Sequence, residues 1–88
     1  MAFSTTLASP SPDEVDALKV GEILGVDLVD EGGVTIVGVL GSGGVLIGSV
    51  VSGRLADLRT CLQQGFRFGA EIQSVVGGVV RVRISARE

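Results

Sequence analysis

Glycine-punctuated runs of Val, Ile and Leu fill this sequence from residue 20 onward, and they restrict its fold more than any other feature. β-Branched residues favour extended backbone, and adjacent glycines reach the positive φ values that tight turns require. Residues 20–29 form the first run, Asp30-Glu31-Gly32-Gly33 turns the chain into 34–40, and Gly41-Ser42-Gly43-Gly44 turns it into 45–51. Gly21 and Gly25 interrupt the first run, which predicts a bent strand. Two further runs, 67–75 and 79–85, flank Gly77-Gly78. Between the third and fourth runs, Leu55, Leu58 and Leu62 recur at i, i+3 and i+7, and Gly65 supplies a left-handed stop, so a helix opens after Ser52-Gly53.

The last hairpin permits a register argument. Phe68, Ala70 and Ile72 share one face, as do Val80, Val82 and Ile84. These faces meet only if paired residue numbers have an even sum, which a two-residue Gly77-Gly78 loop does not give. A three-residue loop, Val76 to Gly78, restores the match and sets Glu71 opposite Arg83.

Residues 1–10 are small and polar and read as an arm. Ser11-Pro12-Asp13-Glu14 then presents a cap residue, a proline suited to the first helical position and first-turn acids. A short helix through Leu18 and an acidic solvated linker both fit. The organisation expected is therefore an N-terminal arm over 1–18 and a small β-barrel domain over 19–88. Three strands, a helix and two strands, with a bent first strand, is the order of a five-stranded OB-like or SH3-like barrel.

The 88 residues suffice for one domain, and with 45% hydrophobic residues the chain lies in the globular class. Its net charge of −3 disfavours polyanions as partners. Cys61 has no partner for a disulfide within the chain, and no stretch has the layout of a membrane span or signal peptide. The protein reads as cytoplasmic. Without His and with one Cys, the usual transition-metal ligand sets are out of reach, and no cofactor is expected.

Catalytic motifs fail on inspection. Gly48 and Gly53 have phosphate-loop spacing, but Arg54-Leu55 stand where Lys and Ser or Thr are needed. Cys61 has no histidine to activate it and reads as a structural thiol. Asp27, Asp30 and Glu31 read as solvated turn residues. The sequence therefore points away from an enzyme.

Two features bear on binding. Arg67, Arg81, Arg83 and Arg87 lie at outward parity on the last hairpin, with Arg54 and Arg59 on the helix. In the second and third runs both parities are apolar: Val34, Ile36 and Leu40 against Val37 and Val39, then Val45, Ile47 and Val51 against Leu46 and Val50. One parity lines the core, and the other is covered by the helix, the arm, a second copy or another protein.

Over residues 44–84, Ile47-Gly48-Ser49-Val50, then Leu55-Ala56-Asp57-Leu58-Arg59 and Leu62, then Gly65 through Ile72 and the run 79–84 follow one another in an order that resembles the HIRAN domain family. That resemblance implies a small β-barrel that binds DNA, with single-stranded ends as ligand of some members. The sequence lacks the Tyr and Trp that usually stack bases. The leading expectation is thus a protein-binding or self-associating module, homo-oligomeric, with no role at a membrane and with Val37, Val39, Leu46 and Val50 or their opposite-parity neighbours at the contact. The alternative is a HIRAN-like DNA-binding module contacting phosphate through Arg67, Arg81 and Arg83.

Overall fold

The computed structural model describes residues 2–8 and 10–87, and within them six strands and two helices follow one another. They are β1 (Ala2–Ala8), α1 (Pro12–Val15), β2 (Ile23–Glu31), β3 (Val34–Leu40), β4 (Leu46–Val50), α2 (Leu55–Gln63), β5 (Arg67–Val76) and β6 (Val79–Arg87). Every neighbouring pair is antiparallel, and the order β1-β4-β3-β2-β5-β6 closes on itself because β1 pairs with β6 as well as β4. The fold is mostly β, as the runs of Val and Ile indicate.

The expectation of five strands in OB-like or SH3-like order is corrected to a closed ring of six. The additional strand, β1, comes from the segment read as an arm. Phe3, Thr5 and Leu7 turn inward against Ile84, Val82 and Val50, while Ala2, Ser4 and Thr6 are exposed. Without β1, β4 and β6 would each present an unpaired edge.

The final hairpin is also corrected. Its loop is the two-residue Gly77-Gly78, with φ of 57° and 84°, flanked by the pair Val76 and Val79. Parity is restored by a bulge between Ile72 and Ser74, not by a longer loop. Beyond it Ile72 faces Val82, Ala70 faces Ile84 and Glu71 faces Arg83, the pairs the apolar pattern requires. A second bulge, in β4 at Ile47, lies between the pairs Leu40 with Leu46 and Val39 with Gly48.

The ring interior is filled by Leu7, Leu24, Val26, Val37, Val39, Val50, Phe68, Ala70, Ile72, Val80, Val82 and Ile84. Among the described residues no polar or charged residue is buried, so this core is held by apolar contact alone. Strand direction puts the two helices at opposite ends of the ring: α1 joins the end of β1 to the start of β2, and α2 joins the end of β4 to the start of β5. α1 contributes Val15 and is tied down where the Ser11 N–H donates to the Ile47 carbonyl at 2.8 Å. α2 contributes the fully buried Leu58, with Leu55, Cys61 and Leu62 packed beside it.

α2 ends as Gly65 requires. With φ of 93° at Gly65, its N–H donates to the Leu62 carbonyl and the Phe66 N–H donates to that of Cys61, the paired bonds of a Schellman stop. This turn places Phe66 and Arg67 at the rim of the ring.

Candidate functional site

Closure of the ring decides which parity of β2, β3 and β4 faces out. Val37, Val39 and Val50, expected at a contact surface, are at most 2% exposed and belong to the core. They are removed from any interface of the folded chain. The reason is register: Val37 faces Leu28 and Val39 faces Val26 on β2, and Val50 faces Leu7 of β1, all inward. Leu46 alone of the expected set lies outside, half-buried.

The opposite-parity neighbours form the outer surface. Val29 pairs with Ile36, and Leu40 pairs with Leu46. Gly38 sits among them, and a Cβ there would lie 2.7 Å from Leu46 Cδ1 and 2.9 Å from Val29 Cγ2. Glycine at this position therefore lets Val29 and Leu46 close over the strand. Val34, one outward step from Ile36, is 61% exposed, while Val29, Ile36, Leu40 and Leu46 are half-buried. The result is a contiguous apolar strip of Val29, Val34, Ile36, Leu40 and Leu46 crossing three strands. α1 and α2 lie toward the two ends of the ring, and at one end of the strip Leu40 shares a pocket with Leu62 of α2 and Phe66.

The arginines lie elsewhere. Arg81, Arg83 and Arg87 are exposed along β6, and Arg67 is exposed on β5 directly opposite Arg87. Arg83 stands between Ser4 of β1 and Glu71 of β5, and Arg81 Nη1 donates to Thr6 Oγ1 at 3.1 Å. Acids lie on and just after α1 (Asp13, Glu14 and Asp16) and on β2 (Asp27 and Asp30), with Glu71 set among the arginines opposite Arg83. A net negative chain thus carries one basic stripe.

At the α2 end, the outer surface opens into a pocket of about 500 Å³ between β2 and the turn after α2. Arg67, Arg87 and Asp27 line it together with Phe66, Leu62 and Gly25. Phe66, 60% exposed, is an aromatic that sequence reasoning did not single out; its signal was its place directly after the Gly65 stop.

The remaining candidates are accounted for by packing. A Cβ on Gly48 would meet Leu7 Cβ and the Ala8 carbonyl at 3.2 Å, so this glycine admits β1 into the ring. The strand that leads into α2 has only antiparallel neighbours, unlike the parallel setting of a phosphate loop. Cys61 packs against the core. Among the described residues no three of His, Cys, Asp and Glu converge as a metal set, and no helix is long and apolar enough to cross a membrane. No protein-family model, curated protein or solved structure matches the chain.

Proposed function

We propose that this chain is a non-enzymatic binding module that associates with protein, in the first place a second copy of itself, through the apolar outer surface of β2, β3 and β4. The observation that carries this reading is the contiguous strip of Val29, Val34, Ile36, Leu40 and Leu46 on the outside of a ring whose interior is already filled. Contiguous exposed apolar surface marks association sites. Every strand has a neighbour on both sides in the closed ring, so the strip offers a partner side chains in place of a whole unpaired edge strand. A second copy brings an identical strip, and two-fold pairing of one self-complementary patch is the commonest way such chains assemble.

Sedimentation velocity across a concentration series tests it. The wild-type chain is expected to sediment as a dimer, and the double substitution Val34→Lys with Ile36→Lys as a monomer. Lysine stems lie along the sheet while their ammonium groups reach water, so Val34→Lys at its exposed position is expected to alter stability by about 0.5 kcal/mol or less, and Ile36→Lys at its half-buried position by about 1 kcal/mol. A wild-type chain that stays monomeric at submillimolar concentration removes self-association.

A DNA-binding module is the second reading, and the arginine stripe of Arg67, Arg81, Arg83 and Arg87 favours it. Fluorescence-anisotropy titrations at rising salt address it. If this reading holds, replacing Arg67, Arg81 and Arg83 with glutamine weakens binding across all sequences and flattens the salt dependence. Unchanged affinity in the triple variant excludes it.

A further inference from the structure

We propose that the pocket at the α2 end binds a small oxyanion carried on an apolar group: a carboxylate or phosphate on an aromatic or branched aliphatic body. Arg67 and Arg87 are directly opposed in the β5–β6 register. Like charges placed across a ladder repel, and an anion held between them removes that repulsion. Guanidinium groups present planar forks of donors that match the two oxygens of a carboxylate or phosphate.

The approach of Arg87 depends on a glycine. A Cβ on Gly69 would lie 2.5 Å from Arg87 Cδ and 3.1 Å from its Cγ, and 3.1 Å from Ile23 Cγ2. The bare strand at Gly69 therefore lets the Arg87 stem cross β5 toward β2, where its guanidinium meets the pocket. Across the floor, a Cβ added to Gly25 meets nothing within 4 Å, so the space above β2 is open. Phe66 and Leu62 supply an apolar wall from the end of α2. The volume of about 500 Å³ falls inside the range of small-molecule sites, roughly 300–1,000 Å³.

Asp27 is the one carboxylate in the lining, set against two guanidiniums, and one of its oxygens accepts the Leu28 N–H at 2.8 Å. It tempers the positive field and biases the site toward singly or doubly charged small anions over long polyanions. Leu40, at one end of the apolar strip, also lines this pocket; the recognition rests on Arg67, Arg87 and Phe66, so its test reads them and not self-association.

The test is a titration of the isotopically labelled full chain with phenyl phosphate and with benzoate, following backbone amides by NMR. At least one probe is expected to give saturable shifts at Gly25 and at residues 65–67. Inorganic phosphate and phenol, each lacking half of the recognised chemistry, are expected to bind about tenfold more weakly or worse. Arg67→Gln and Arg87→Gln are each expected to weaken the better probe by about tenfold or more. Asp27→Asn is expected to tighten it, an effect that a purely structural role for Asp27 does not produce. Gly25→Val, which has room for its side chain, is expected to keep a dispersed spectrum and abolish binding. Absence of saturable shifts with both aryl probes at millimolar concentration overturns the proposal. So does equal binding of inorganic phosphate, which marks an adventitious surface anion, or unchanged affinity in both arginine variants.

Discussion

Replacing Leu58 with alanine is expected to lower the unfolding free energy by about 2–5 kcal/mol, a large share of the roughly 5–15 kcal/mol typical of a small domain. Leu58 is fully buried and is the residue α2 inserts deepest into the core. The ring around it is built from β-branched side chains with few rotamers, and it is closed by hydrogen-bonded pairs on every side. Such a wall collapses poorly into a void, which places the cost toward the upper part of that range. Denaturant unfolding should show a lower midpoint with an unchanged slope. Leu55→Ala serves as the comparison: Leu55 is only half-buried and should cost distinctly less. Equal costs would mean that α2 lies on the ring without plugging it.

Removing residues 2–8 is expected to abolish cooperative unfolding altogether. An arm outside the fold predicts almost no effect. In the ring, the same deletion strips β1 from both β4 and β6, leaves two unpaired edges and uncovers the core beside Leu7. It also removes the hydrogen bond from Thr5 Oγ1 to the Val51 carbonyl. Exposed edges beside apolar side chains template intermolecular pairing, so the truncated chain should aggregate. Circular dichroism and light scattering of the truncated chain check this. A soluble chain with a native-like unfolding transition would show that β1 does not close the fold.

Legibility in the sequence followed the contrast between the two faces of each strand. On β6, arginines alternate with Val and Ile, and the inward set was readable directly. On β3 and β4 both parities are apolar, so the pattern left two answers, and only closure of the ring chose between Val37 with Val39 and Val34 with Ile36. β1 was hidden for the opposite reason: its period of two is present in Phe3, Thr5 and Leu7, but alternation among Ala, Ser and Thr carries little hydrophobic contrast.

The hairpin shows how a correct constraint can be met by a different device. Parity demanded one extra residue, and the chain places it at Gln73, which with the following Ser74 makes two consecutive polar residues that break the alternation between Ile72 and Val75. That break was the readable sign of a bulge, and it left Gly77-Gly78 free to form the tight loop its positive φ values suit. The pocket was least visible, because Arg67, Arg87, Gly25 and Gly69 converge only through the pairing of β2 with β5 and of β5 with β6.

The most direct test of association through the outer strip is thiol labelling of single cysteines at positions 34 and 37, each in a Cys61→Ser background, measured over a range of protein concentration. The account predicts that Val34→Cys labels rapidly in dilute solution and progressively more slowly as concentration rises, while Val37→Cys stays protected throughout. A Val34→Cys labelling rate independent of concentration would contradict self-association through this surface, and rapid labelling of Val37→Cys in a folded chain would contradict the register on which it rests.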